Sequence, residues 1–227
     1  MSALTILLIM KNNFDAIFFD LDGTLLDTAP DLYAAMHNTL AQMGYEMISF
    51  DRFRPHIHSG TASMIKGSLG IDENDPLFEE VKQTFLSHYE NQVDRKTDYF
   101  PGVSDLLKHL DQENIPWGII TNKPGFLAEP LLRSFGLDQR SQCVISGDTL
   151  PRKKPYPDQL FHACELVNVS PSQCIYVGDT EGDIAAAKAA GMHAIAVCYG
   201  YHHPTSKPDS WGADHIINEA SQLIDVL

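Results

Sequence analysis

Asp20 and Asp22 stand one leucine apart at the end of the apolar run Ala16-Ile17-Phe18-Phe19. Like charges closing a buried strand repel each other and lose hydration. Such a pair needs either a cation between its members or a reaction that uses both. Alternate residues on a strand point the same way and rise by roughly 6.5–7 Å, a span that admits a tetrahedral phosphoryl group between two carboxylates. Asp20 is then the expected nucleophile at phosphorus. Asp22 is the expected acid and base, protonating the departing oxygen and later taking a proton from water. A calcium loop is the plain alternative for D-x-D-G. It fails because Leu25 stands where that loop requires glycine and no glutamate closes it.

Three more apolar runs lead to residues with matching chemistry. PWGIIT (116–121) ends at Thr121 and is followed by Asn122, offering a hydroxyl and backbone N–H groups to phosphate oxygens. QCVISGD (142–148) leads to Arg152-Lys153-Lys154-Pro155; one lysine is expected to reach the phosphate, and spacing leaves Lys153 and Lys154 open. QCIYVGD (173–179) ends at Asp179, and Asp183 follows one helical turn later on the same face, as support for the site or as a first-turn acid favoured by the helix dipole. Asp20, Asp179 and a phosphate dianion place about four negative charges in one pocket, each neighbouring pair at 4 Å costing on the order of 4 kcal/mol at an effective dielectric near 20. Mg²⁺, a hard cation that keeps some of its waters, is the expected neutraliser. Any one strand-ending Asp or Thr can be a turn or cap residue; four sharing an edge point to a site.

An open parallel sheet brings these residues together, because the carboxyl ends of its strands share one edge. FDAIFFD (14–20), the three runs above and HAIAVCYG (193–200) read as buried strands, with helical patterns near 103–113, 124–135, 157–168 and 182–190. That alternation predicts an α/β doubly wound parallel sheet. Residues 28–98 break it. Leu32, Ala35, Met36, Leu40 and Met43 share one helical face, as do Val81, Phe85, Tyr89 and Val93, and Gly60 and Gly70 bracket a further short helix. A connection of that length is a separate helical lid. The expected organisation is therefore a core of residues 1–27 and 99–227 with a helical cap, 28–98, inserted after the first strand. Hinges are expected near Asp27-Thr28 and Tyr99-Phe100-Pro101-Gly102.

The bulk properties narrow the partners. The chain has 227 residues, is 44% hydrophobic and carries a net charge of -14. Nucleic acid and anionic membrane are poor partners for such a surface, whereas a small phosphorylated metabolite needs only local positive charge. Cys143, Cys164, Cys174 and Cys198 show no C-x-x-C spacing and read as reduced, buried thiols of a cytoplasmic protein. The apolar start MSALTILLIMK lacks a basic region and a cleavage site and is too short to cross a membrane. It reads as an extra strand or as a product of start-codon choice. A monomer or homodimer is expected.

DLDGT (20–24), the strand-ending Thr121, Lys154-Pro155 and GDTEGD (178–183) resemble, in order, the four motifs of the haloacid dehalogenase superfamily. The resemblance covers nearly the whole chain. It implies a Rossmann-like core with a cap of the type that follows the first strand (C1-type). It further implies that Asp20 is the nucleophile and Asp22 the acid/base, with the Asp22 backbone carbonyl reaching Mg²⁺. Thr121 and Lys154 would hold phosphate, the lysine being the one directly before proline, and Asp179 would ligate the metal. Within the superfamily the chain is similar to phosphoglycolate phosphatases. TNKPGFLAEPLL (121–132) and YGYHHPTSKPDSWGAD (199–214) also resemble N-acetylmuramic acid 6-phosphate phosphatases. In the lid, Ser59 and Gly60 before a helix are candidate substrate contacts. Arg52, Arg54, His56 and His58 read either as part of that surface or as ordinary polar residues. A zinc site at His56-His58 or His202-His203 lacks partners at recognisable spacing. The expected activity is a Mg²⁺-dependent phosphomonoester hydrolase acting through an aspartyl-phosphate on 2-phosphoglycolate or N-acetylmuramic acid 6-phosphate. A phosphosugar mutase on the same core and a non-enzymatic receiver-like phospho-signalling module are the alternatives.

Overall fold

The computed structural model describes residues 14–203 and 205–227, so the expectations for MSALTILLIMK lie outside the described residues. Six strands form one sheet in the order β5-β4-β1-β6-β7-β8. They are β1 (Ala16–Phe19), β4 (Trp117–Ile120), β5 (Val144–Ile145), β6 (Cys174–Gly178), β7 (His193–Val197) and β8 (His215–Ile217), and every pairing is parallel. The chain fills the sheet outward from β1 to one edge, then crosses back and fills the other side. This is a Rossmann-like doubly wound sheet with its crossing point at β1. β8 extends the sheet beyond the five strands that the sequence pattern shows; only Ile217 of its three residues is buried, so it carries no apolar run.

The strand sequences explain why helices cover both faces. Ile17, Phe19, Ile119, Ile175, Val177, Ile195 and Val197 join one apolar cluster, while Ala16, Phe18, Ile120, Tyr176, Ala194 and Ala196 join the other. Alternate residues of each strand are therefore apolar on opposite sides, the pattern of a doubly covered parallel sheet. On the first face pack α5 (Val103–Gln112) and α6 (Gly125–Ser134) through leucines such as Leu107 and Leu131, and α7 (Leu137–Arg140) through Leu137. On the second lie α8 (Asp158–Val167) and α9 (Glu181–Ala190), whose small residues Ala163, Ala186 and Ala187 permit close approach.

Four helices stand between β1 and α5: α1 (Ala29–Met43), α2 (Phe50–Phe53), α3 (Gly60–Leu69) and α4 (Phe78–Glu90). A 3₁₀ helix, Arg54–Ser59, links α2 to α3. α3 ends on Gly70 in the left-handed conformation, as the bracketing glycines suggested. The apolar faces of α1 and α4 are buried at Leu32, Ala35, Met36, Leu40, Val81, Phe85 and Tyr89. Val93 is buried too, but from the turn beyond α4. At the expected hinges the two tethers pair with each other: β2 (Leu26–Asp27) runs antiparallel to β3 (Asp98–Tyr99). Among the described residues no helix is long and apolar enough to cross a membrane. All four cysteines are free thiols, three of them buried and Cys198 half-buried.

Candidate active site

β1 ends at Phe19, one residue before Asp20. The alternation that set Asp20 and Asp22 on one strand face is thus corrected: Asp22 lies in a turn. The Leu21 carbonyl accepts the amides of Leu25 and Leu26, each at 3.0 Å. Gly23 gives that turn a φ of 86°, and a Cβ there would collide with the Asp179 carboxylate. Both aspartates nonetheless line the same large cavity.

Lys154, and not Lys153, enters the site. Its ammonium shares its three N–H groups among four oxygens: Asp20 Oδ1 at 2.8 Å, Asp183 Oδ1 at 2.7 Å, the Tyr176 hydroxyl at 2.6 Å and the Ile120 carbonyl at 2.9 Å. Lys153 is exposed at the cavity wall. The Asn122 side-chain amide donates to the Lys154 carbonyl at 2.9 Å, bracing the lysine loop. Thr121 is buried at the end of β4, where its Oγ1 accepts the Lys123 amide at 3.1 Å. Asp183 fulfils both roles open to it. Its Oδ2 accepts the Thr180 amide and hydroxyl in a capping box that starts α9, while its Oδ1 holds Lys154.

Asp179, at the end of β6, accepts the Tyr201 amide at 2.7 Å and the Thr24 hydroxyl at 3.3 Å. It is wedged between Gly23 and Gly200, and a Cβ on either would overlap it. Oxygens of Asp20, Asp179 and Asp183 lie within 4.8 Å of one another, all on buried residues. Burial, reinforced by Asp183 and opposed by Lys154, pushes the Asp20 carboxyl up to about 7. Burial and the neighbouring Asp20 and Asp183 hold Asp179 well above the carboxylate range. Burial disfavours the Lys154 ammonium, yet Asp183 and Asp20 outweigh it and keep the group charged. One lysine thus faces three carboxyls; with all three ionised the deficit is two positive charges, which a divalent cation fits. Asp183 already accepts two hydrogen bonds on each oxygen, whereas Asp179 accepts one on each and Asp20 accepts only that of Lys154, which makes Asp20 and Asp179 the carboxylates best placed to hold that ion.

Asp22 is set apart from this cluster. Thr28 Oγ1 donates to its Oδ1 at 2.6 Å, and Lys123 Nζ reaches Oδ1 at 3.0 Å and Oδ2 at 3.3 Å. The carboxylate is thereby engaged by a hydroxyl and an ammonium outside the three-acid cluster. Lys123 also donates to the Tyr89 hydroxyl on α4 at 2.7 Å, with its ammonium 4.5 Å from the ring centre. Lys123, Tyr89, Tyr176, Thr28 and Tyr201 were not among the expected site residues. The one signal for Lys123 was its place two residues after Thr121. Ser59 and Gly60 line the cavity, and Gly60 has a φ of 79°. Arg54 is no simple surface charge: it donates to the Gly200 carbonyl at 3.0 Å and lies 5.1 Å from the Tyr201 ring centre.

A family model described as haloacid dehalogenase-like hydrolase matches residues 17–197. The chain belongs to this family. As a haloacid dehalogenase-like hydrolase it has relatives along nearly its full length. An N-acetylmuramic acid 6-phosphate phosphatase of Pseudomonas aeruginosa is 36% identical over 212 residues, covering 93% of this chain and 94% of that protein. A phosphoglycolate phosphatase of Xanthomonas campestris is 39% identical over 211 residues, covering 92% and 94%. A crystal structure from Haemophilus somnus, described as a predicted phosphoglycolate phosphatase, superposes with a TM-score of 0.86 at 25% identity, covering 96% and 99% of the two chains. This haloacid dehalogenase-like hydrolase is therefore an enzyme of the phosphomonoester hydrolase type, which sets the receiver-like module aside.

Proposed function

We propose that the chain is a Mg²⁺-dependent phosphatase of small phosphorylated metabolites that works through a phosphoryl group carried on Asp20, with residues 28–98 serving as a cap over the core. The observation carrying this reading is the separation of duties between two neighbouring carboxylates: Asp20 faces Lys154, whereas Asp22 is held by Lys123 and Thr28 beside the same cavity. In the first step an Asp20 oxygen attacks phosphorus, the bond from phosphorus to the leaving oxygen breaks, and Asp22 supplies the proton that this oxygen needs. In the second, Asp22 takes a proton from water, the water oxygen bonds to phosphorus, and the Asp20–phosphorus bond breaks to give inorganic phosphate. Thr121 and Lys154 hold the non-bridging oxygens, Asn122 fixes the Lys154 loop, and Asp183 fixes Lys154 and the start of α9. Asp20 and Asp179 would hold Mg²⁺, with the Asp22 carbonyl. The ion supplies positive charge that keeps Asp20 ionised and offsets charge building on the phosphoryl oxygens.

The two curated relatives named above suggest 2-phosphoglycolate and N-acetylmuramic acid 6-phosphate as candidate substrates. The test is phosphate release from p-nitrophenyl phosphate with and without Mg²⁺ in wild type and Asp20→Asn. Metal-dependent turnover in the first and none in the second is expected; undiminished turnover by Asp20→Asn refutes the nucleophile. Release of inorganic phosphate from a phosphosugar, with no isomerised phosphosugar formed, separates hydrolysis from the mutase reaction.

A further inference from the structure

Building on the phosphatase reading, we propose that the leaving group is a polyhydroxylated ring. It is held in a subsite formed by His58 and Ser59 on one side and His203, Ser206 and Trp211, from the β7–β8 connection, on the other. These residues line the same cavity as Asp20 and Asp22, and its volume is about 870 Å³. That is near the top of the range for drug-sized ligands, roughly 300–1,000 Å³, and equals on the order of thirty waters at about 30 Å³ each. A two-carbon acid leaves most of that space wet.

The two imidazoles offer complementary groups. His58 Nδ1 lies 2.7 Å from the Pro55 carbonyl, which can only accept, so Nδ1 carries the proton and Nε2 of the neutral ring is an acceptor. His203 Nδ1 accepts the Thr205 amide at 3.2 Å and lies 2.7 Å from the Thr205 hydroxyl, which can donate to it as well; with Nδ1 as the acceptor, Nε2 carries the proton and donates. The ring centroids are 6.0 Å apart. An acceptor and a donor on two neighbouring rings of one cavity wall suit a hydroxyl, which both gives and takes a hydrogen bond; a carboxylate only takes, and the His58 acceptor would repel it. Burial lowers the His58 pKa, outweighing the hydrogen bond to the Pro55 carbonyl, with His203 and His56 acting in the same direction as burial, which favours the neutral ring. Trp211 spends its indole N–H on Ser206 Oγ at 2.9 Å, so what it presents to the cavity is apolar ring. The negative face of an aromatic ring is a partner for the polarised C–H groups of a sugar. Lys153 is the opposing feature: an exposed cation on the cavity wall that a small carboxylate-bearing leaving group would seek.

The test measures kcat/KM of the Mg²⁺-loaded enzyme for glucose 6-phosphate, N-acetylmuramic acid 6-phosphate and 2-phosphoglycolate, with acetyl phosphate as the reference. Both sugar phosphates are expected to exceed 2-phosphoglycolate by at least about tenfold. In His58→Ala and His203→Ala the ratio of sugar phosphate to acetyl phosphate kcat/KM is expected to fall about tenfold, mainly through KM, as for loss of a neutral hydrogen bond. Both side chains are half-buried, and unchanged melting temperatures establish that the variants fold. A preference for 2-phosphoglycolate that Lys153→Ala removes, or ratios unmoved by either histidine variant, overturns the subsite alone. Failure to hydrolyse even acetyl phosphate overturns the phosphatase reading and the subsite with it.

Discussion

Replacing Asp20 by asparagine is expected to stabilise the metal-free protein while abolishing its turnover. The Asp20 carboxyl sits at about 7 instead of 3.8, because burial outweighs Lys154. The folded state therefore holds a proton that the unfolded chain has already released between about pH 4 and pH 7. Stability falls as pH rises through that window and levels off above it. At about pH 8 the ionised carboxylate costs the fold on the order of 4 kcal/mol, at about 1.4 kcal/mol for each tenfold change in proton affinity. Asparagine removes this cost, but Lys154 keeps Asp183 as its one carboxylate partner, at 2.7 Å. If roughly half the gain is lost to that change, about 2 kcal/mol remains. For a chain of this size that is a Tm increase of about 4–8 °C. The assay is thermal melting in EDTA at about pH 8 and again near pH 5, where the difference should shrink. A variant that melts below wild type at about pH 8, or whose advantage ignores pH, refutes the claim that Asp20 is a buried charge awaiting a counterion.

Other substitutions probe the neighbouring contacts. Lys154→Met leaves Asp20 and Asp183 without their cation and should cost about 3–5 kcal/mol, lowering Tm by about 6–20 °C near neutral pH with partial recovery at about pH 5; melting curves at both pH values check it. Tyr89→Phe deletes the hydroxyl on Lys123 while keeping the ring, and should lower kcat about fivefold with little change in KM, the worth of one hydrogen bond. Steady-state kinetics showing the loss in KM instead would reject a role in holding Asp22. Gly200→Ala drives a methyl into the Asp179 side chain and the Gly23 carbonyl, and should cost about 1–3 kcal/mol. Titrating the Mg²⁺-induced shift in Tm should show weaker binding in this variant.

Much of the site was legible in the sequence because parallel strands deliver their last residues to one edge. Asp20, Thr121 and Asp179 needed only apolar runs with known ends, and Asp183 followed from helical spacing. Contacts made across the chain left no such trace. Lys123 meets Asp22 over 101 residues and Tyr89 over 34, and neither spacing has a periodicity that a sequence displays. Tyr89 announced itself as a core residue of α4, and it is buried as one; its hydroxyl has a second use that burial alone does not reveal. The ribbon of β2 and β3 escaped notice because two residues per strand are too few to show alternation. The one physical argument that misled was strand alternation at Asp20 and Asp22. Whether pairing stops at residue 19 or 22 depends on the turn around Gly23, and that turn answers to Asp179, far along the chain.

The ion pair between Asp20 and Lys154 closes 134 residues, and the contact of Thr24 with Asp179 closes 155. Loops of that length are expensive to form early. During synthesis the amino-terminal acids emerge with nothing to neutralise them, and the carboxylate cluster exists only once the last third of the chain has docked. On the proposed function, affinity for a phosphate mimic would be a signature of completed assembly. Mass action then favours the finished fold whenever ligand is abundant, so cells rich in substrate would hold more of this enzyme native and less of it available to proteases.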